Sequence, residues 1–329
     1  MTQRRRLSAR IETWRFAAPM RITGHVFDCA QVLVVEIESG GVVGRGEAFG
    51  VYYLQETPDS MLDQVGRVQS WVTEPEADRI GLLKQLPAGG ARNAVDAALW
   101  ALEAQLSGRR VWELASQQPR TVRSSVTLGL DTPAGMAAQA ARHPHHGLVK
   151  VKLDAQQPLE RMQAIHAARP DAELIVDANQ GWSFDQLQAW APELARLGVT
   201  MIEQPLPRGQ DEALEHYTPP LPLAADESCL HGDELAAAAR RYQVVNLKLD
   251  KSGGLTHALQ MAAQARRLGL GLMVGCMLGT SLAIAPAYVL GLQCDRCDLD
   301  GPLLLAGDRL PSLDFSNGEI APFAPGVWA

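Results

Sequence analysis

Five short apolar runs end in charge, and they recur at intervals of a little over twenty residues. They read L-V-K-V-K-L-D from Leu148, E-L-I-V-D-A-N from Glu173, M-I-E-Q-P-L from Met201, L-A-A-D-E-S from Leu223 and V-V-N-L-K-L-D from Val244. Stretches with helical spacing of apolar residues separate them, so the repeating unit is strand then helix. Eight such units close a parallel barrel, and the C-terminal strand ends of such a barrel form its active face. Lys150, Asp177, Glu203, Asp226 and Lys248 fall on that face.

The 329 residues, 47% hydrophobic, have room for one barrel and a smaller second domain. From Arg10 to about Glu47, apolar alternation predicts antiparallel strands joined at Gly40-Gly41. Helical stretches follow at Met61 to Val72, Asp78 to Leu86 and Ala91 to Leu106. The expected organisation is an α+β capping domain over 1–120, a barrel over 121–301 and a segment, 302–329, that packs back on the capping domain and completes it. Barrel strands are expected at Val122 to Leu130, Leu148 to Leu153, Glu173 to Asn179, Met201 to Pro205, Leu223 to Ser228, Val244 to Asp250, Gly271 to Met277 and Cys297 to Asp300. Helices fill the gaps, including Asp211 to His216 after the fourth strand, but none follows the eighth, so the class is α/β, (β/α)7β. Ser183 and Thr256 read as helix caps, Gly198 and Gly269 as stops.

A net charge of -7 disfavours nucleic acid, and no run approaches the length of a membrane span. The basic start M-T-Q-R-R-R lacks a following apolar core, so no secretory signal is expected. Five dispersed cysteines fit a reducing cytoplasm. The C-x-x-C of Cys294 and Cys297 lacks the second ligand pair of a zinc site. His143, His145 and His146 precede the second barrel strand, at the end away from the active face. G-V-V-G-R-G-E opens no helix and reads as a hairpin rather than a nucleotide loop.

Because side chains alternate along a strand, Lys150 and Lys152 share the inward face. Asp177, Glu203 and Asp226, on strands three to five, converge beside them. Three converging carboxylates repel unless a cation sits among them, and an all-oxygen set suits Mg²⁺ or Mn²⁺ better than zinc. Strands two and six lie on opposite sides of a ring of eight, so Lys152 and Lys248 face each other across whatever the metal holds. A metal-held carboxylate can lose its α-proton to one lysine and regain one from the other, which inverts the carbon. Lys150, two residues from Lys152, supplies a like charge that favours the neutral, basic form of Lys152.

These residues, with K-V-K, D-A-N, I-E-Q-P, A-D-E-S and L-K-L-D-K-S-G-G as they stand, resemble the enolase superfamily and its muconate lactonizing enzyme-like subgroup across nearly the whole chain. The resemblance implies a modified TIM barrel beneath a capping domain. It makes Asp177, Glu203 and Asp226 the Mg²⁺ ligands, Lys152 and Lys248 the acid/base pair and Lys150 an electrostatic helper. C-D-L-D-G-P, carrying Asp298 and Asp300, is similar to the D-x-D signature of dipeptide epimerases, which implies an acidic pair that holds a substrate ammonium group. The implied partner is a small-molecule dipeptide, and homo-oligomers are common among such barrels.

The resemblance places substrate contacts at Cys276, Met277 and Thr280 in the loop after strand seven, at Thr127 on strand one, and in capping-domain loops near 19–28 and 50–57. Members that act on L-Ala-D/L-Glu carry an arginine in the first of these loops. Here His25 aligns with it and Arg21 is out of register, so the side-chain specificity at either position stays open. Tyr52, Tyr53 and Glu56 in the second loop suit an aromatic, aliphatic or cationic residue. The reading is an isomerase that epimerises L-Ala-L-Xaa-type dipeptides. Alternatives are N-succinylamino acid racemisation, o-succinylbenzoate synthesis, cycloisomerisation, or a barrel that binds a small molecule without catalysis.

Overall fold

The structure, a computed structural model, describes residues 4–329. Three antiparallel strands, β1 (Arg6–Ile22), β2 (His25–Ser39) and β3 (Val42–Ala48), form the capping sheet in that order. The β2–β3 turn falls at Gly40-Gly41, both at positive φ as a tight hairpin requires. The segment expected as a loop near 19–28 is the tip of a second hairpin, with Ile22 paired to His25.

Helices α1 (Pro58–Val72), α2 (Arg79–Gln85) and α3 (Gly90–Ser107) complete the cap. Helix α3 is buried nearly all round because it is sandwiched between sheet and barrel. On the sheet side, a Cβ at Gly44 or Gly46 would come within 2.1 Å of Ala98 O or 2.0 Å of Ala94 O, so these glycines permit the contact. On the barrel side, Asp96 accepts from the amide and hydroxyl of Thr256, and Trp100 donates to that hydroxyl at 2.9 Å. Thr256 is therefore not a cap as the sequence suggested. Gly254 precedes the helix, and Thr256 ties it to the cap domain.

A short helix α4 (Val111–Leu114) leads to the barrel. The expected first strand is split. β4 (Val122–Arg123) pairs antiparallel with β13 (Glu319–Ile320), and only β5 (Val126–Leu128) joins the ring. Ser124 and Ser125 lie between, with hydroxyls committed to Leu299 N and Asp298, and these bonds interrupt the pairing. The ring continues as β6 (Leu148–Lys152), β7 (Glu173–Asp177), β8 (Val199–Glu203), β9 (Leu223–Ala225), β10 (Val244–Lys248), β11 (Gly271–Gly275) and β12 (Arg296–Asp298), parallel and in sequence order. A bridge between Ser124 and Cys297 brings its ends together.

Outer helices α5 (Pro133–Ala141), α6 (Pro158–Ala168), α7 (Phe184–Arg196) and α8 (Leu235–Arg241) alternate with the strands. After β10 come α9 (Leu249–Ser252) and α10 (Leu255–Arg267), and after β11 comes α11 (Ser281–Gly291). The expected helix after the fourth strand is only a 3-10 turn, Glu212–His216. Ser183 caps α7 as read, and Gly198 and Gly269 stop their helices at φ +80°. The C-terminal segment returns to the cap, where Trp328 Nε1 donates to Arg45 O at 3.0 Å and Arg309 reaches Glu12 and Glu47. It also pairs with β4 through β13. No helix among the described residues is long and apolar enough to cross a membrane.

Candidate active site

The barrel interior is layered. Leu148, Ile175, Met201, Ala224, Val244 and Met273 point inward and form an apolar plug. Two residues further along each strand, on the same face, stand Lys150, Asp177, Glu203, Asp226, Asn246 and Gly275. A side chain at 275 would crowd this layer, since its Cβ would lie 2.7 Å from Asn246 Oδ1. Asn246 uses the space to donate to Glu203 Oε1 at 2.7 Å. Sequence reasoning missed Asn246, although the alternation back from Lys248 in V-V-N-L-K places it inward.

Asp177, Glu203 and Asp226 stand in this layer on neighbouring strands, and lysines interleave with them. Lys150 Nζ lies 3.0 Å from Asp177, 2.8 Å from Glu203 and 2.7 Å from Asp298. Lys152 reaches Asp177 at 2.7 Å, and Lys248 reaches Asp226 at 2.6 Å. Lys251, another residue the sequence reading passed over, holds Asp226 Oδ1 at 2.6 Å and three backbone carbonyls. Burial alone would lower the Lys150 pKa, but Asp177, Asp298 and Glu203 outweigh it and raise the value. The charge of Lys150 is thus spent on three acids, which corrects its expected role as a like-charge neighbour acting on Lys152.

Burial opposes ionisation of Asp177 and Asp226, yet the surrounding lysines hold both below the usual carboxylate range. Burial and the neighbouring Asp177 push Glu203 up to about 7. Burial, then Asp226 and Asp177, push Glu227 up to about 8. Six carboxylates, those of Asp177, Glu203, Asp226, Glu227, Asp298 and Asp300, face the four ammonium groups of Lys150, Lys152, Lys248 and Lys251. Fully ionised, the cluster carries two surplus negative charges, which one divalent cation neutralises.

The donor chemistry also fits a hard cation. Buried oxygens of Glu203 (Oε2), Glu227 (Oε2) and Asn179 (Oδ1) lack hydrogen-bond partners. Glu203 Oε2 is near Lys150 but off the line of a hydrogen bond. As the side chains stand, no three His, Cys, Asp or Glu among the described residues form a ready ligand set, because ammonium groups separate them.

Above this floor opens a cavity of about 640 Å³, counted out to open solvent. Lys150, Lys152, Asp226, Lys248, Thr127, Cys276, Met277, Asp298, Asp300 and Tyr53 line it, while Asp177 and Glu203 lie buried behind the lysines. The acidic pair is unequal. Asp298 is bound by Lys150 and by Ser125 Oγ at 2.6 Å, so it is not free for a ligand in the way the sequence reading had it. Asp300 accepts from Thr127, whose amide lies at 2.6 Å, and burial and Asp298 push it up to about 7. Burial raises the Cys276 thiol, which stays neutral as a small packing group.

Two expected contacts are not in the cavity. Thr280 is fully buried elsewhere: its amide and hydroxyl bind Glu47, and its oxygen caps α11 at Leu282 N. His25 is exposed and packs edge-on against Tyr52 at 4.8 Å between centroids. Phe27, two residues on and on the same face of β2, lines the cavity instead. The carboxylate of Glu56 is bound by the amides of Val51 and Gly90, so it supports the loop rather than a ligand.

Comparison with known proteins agrees with this architecture. Residues 5–115 match the mandelate racemase / muconate lactonizing enzyme N-terminal domain, and residues 135–327 match the enolase C-terminal domain-like family. The chain is 45% identical to an L-Ala-D/L-Glu epimerase of Escherichia coli over 94% of its own length and 97% of that protein. It is 46% identical to an N-acetyl-D-glutamate racemase of Pseudoalteromonas over 75% of its length and 78% of that protein. An Agrobacterium tumefaciens enolase family member with homology to dipeptide epimerases, solved with sodium and L-Ala-L-Glu, superposes with a TM-score of 0.96 at 38% identity, covering 99% of this chain and all of that one. A dipeptide epimerase of Methylococcus capsulatus, solved with Mg and L-Arg-D-Lys, gives 0.91 at 29% identity over 99% of both chains.

Proposed function

Because the chain belongs to the enolase superfamily, in its mandelate racemase/muconate lactonizing enzyme branch, we propose that it is a magnesium-dependent dipeptide epimerase that inverts the C-terminal residue of L-Ala-L-Xaa-type dipeptides. The observation that carries this reading is the placement of Lys152 and Lys248 on β6 and β10, four strands apart, with Asp177 and Glu203 at the ends of β7 and β8 and Asp226 directly after β9 between them.

Asp177, Glu203 and Asp226 would hold the cation. Magnesium, when bound, supplies positive charge beside the substrate carboxylate as its second negative charge develops. Lys152 and Lys248 flank the α-carbon from opposite sides, so one accepts the α-proton and the other delivers a proton to the opposite face. Lys150 ties Asp177 and Glu203 to Asp298, and Asn246 and Lys251 fix the orientation of Glu203 and Asp226. Asp300 receives the substrate's ammonium group. The five cysteines, none in a disulfide, support a cytoplasmic setting.

A second reading, racemisation of N-acylamino acids, is favoured by the capture of Asp298 by Lys150, which leaves a single free acid for an ammonium group. Incubating the enzyme with Mg²⁺ in D₂O against a panel of L-Ala-L-Xaa dipeptides and N-acetylamino acids decides between them. Dipeptides should gain one deuterium at the second α-carbon and yield the L,D isomer, and EDTA should stop both. Turnover of N-acetylamino acids alone would transfer the assignment, and no exchange with any substrate would favour a non-catalytic binder.

A further inference from the structure

Resting on the epimerase reading, we infer that the residue inverted by this enzyme carries an apolar side chain, aromatic or aliphatic, and that glutamate is a poor substrate. The direction of that side chain follows from the ring. Loss of the α-proton leaves a flat carbon whose three remaining substituents share one plane. Lys152 and Lys248 lie on either side of this plane, on β6 and β10, so it contains the barrel axis and runs from β8 across to β12. The carboxylate points to the acids of β7, β8 and the end of β9. The nitrogen, which leads to the N-terminal residue, points to Asp300 beyond β12. The apolar plug closes the way down. The side chain has one direction left, upward into the cap.

What it meets there is apolar. Ile22 of β1, Phe27 of β2, Phe49 after β3 and Tyr52 line the cavity from the cap, and Leu278 and Leu304 approach from the barrel loops. Phe27 contacts Phe49 and Tyr52 edge-on, at 6.1 and 5.2 Å between centroids, so the aromatic wall is continuous. Among the described residues, the cations lining the cavity are Lys150, Lys152 and Lys248, all on the floor and all ion-paired. Arg21 lines a separate recess with Arg142. Glu227 and Asp300, the acids at the cavity wall outside the ion pairs, offer a second carboxylate no counter-charge. A glutamate side chain would lose its hydration here without gaining a counter-charge, whereas a phenylalanine or leucine would gain contact area. This separates the chain from the relatives whose substrates contain glutamate, because aromatic and aliphatic groups form its roof.

The test compares kcat/KM for L-Ala-L-Phe and L-Ala-L-Leu with that for L-Ala-L-Glu and L-Ala-L-Lys, using the Mg²⁺-loaded enzyme. At least a tenfold advantage for the apolar pair is expected. In Phe27→Arg the ratio of L-Ala-L-Glu to L-Ala-L-Phe should rise at least tenfold, while Phe27→Leu should keep the apolar preference. Wild-type turnover of L-Ala-L-Glu or L-Ala-L-Lys equal to or above that of the apolar pair overturns the inference and leaves the epimerase reading intact, whether or not the arginine variant folds. No exchange with any of the four overturns the epimerase reading and takes the inference with it.

Discussion

On the floor of the cavity, six acids and four lysines occupy one cluster, and each of the four lysines touches an acid within 2.7 Å. On the roof, side chains from β2 and the 49–53 loop meet through ring edges 4.8 to 6.1 Å apart, centroid to centroid. The floor residues sit on the parallel strands of the ring, while the roof residues sit near the end of the β1–β2 hairpin and on a short 3-10 turn, Tyr52–Leu54. A rigid, charged floor commits the site to one chemistry. A roof of packed rings is easily exchanged and sets which side chain is admitted. The division can be broken experimentally, because floor substitutions should change rate for every substrate and roof substitutions should change the ranking among substrates.

The largest effect is expected at the lysine pair. Lys152→Ala or Lys248→Ala should lower epimerisation about 10³-fold or more, as loss of a positioned acid/base group does. Each variant should still exchange the α-proton of one stereoisomer, since the remaining lysine reaches one face of the carbon. Following deuterium incorporation separately from L,L and L,D substrates checks this, and full interconversion by both variants would remove the two-base scheme.

A smaller, substrate-selective effect is expected at Asp300, which touches neither the metal acids nor the lysines. Asp300→Asn should reduce kcat/KM for dipeptides roughly 10- to 100-fold, the cost of leaving a desolvated ammonium group without its partner. Its pH signature has a definite sign. Burial and Asp298 push this acid up to about 7, so it is charged and able to hold an ammonium group above that pH and protonated below it. The wild-type kcat/KM should therefore fall as pH drops through about 7, and that inflection should vanish in Asp300→Asn. An unchanged profile in the variant would assign the titration to another group.

The floor was legible in the sequence because its physics is periodic. Charge at the end of an apolar strand is costly, and five such ends in register mark Lys150, Asp177, Glu203, Asp226 and Lys248 before any coordinates. Alternation likewise put Lys150 and Lys152 on one face, as the structure has them. What it could not supply was the partner of each charge. Lys150 takes Asp298 from the opposite end of the chain, which turns a matched acidic pair into one bound and one free acid. Thr280 was read as a ligand contact because it follows strand seven, but Glu47, 233 residues away, claims its hydroxyl. The roof was harder still. His25 and Phe27 share one face of β2, so alternation does not choose between them, and two positions of depth along the hairpin separate the exposed His25 from Phe27 at the cavity.

The smallest predicted effect lies where floor and roof are joined. Asp250 follows Lys248 by two residues, is buried, and accepts the amide of Gly50 at 2.8 Å, so the short helix α9 directly after the lysine's strand anchors the loop that carries Tyr52 and Tyr53. It does not line the cavity and is a positioning residue. Asp250→Ala removes the buried acceptor of the Gly50 amide and should raise KM about fivefold for L-Ala-L-Phe, which fills the roof. L-Ala-L-Ala barely reaches the roof, so its KM should hardly change, and kcat should stay near wild type for both. Asp250→Asn keeps an acceptor oxygen for Gly50 and should restore the KM. A uniform loss with both dipeptides would instead mean that Asp250 supports the lysine strand, and the separation of floor from roof would fail at this joint.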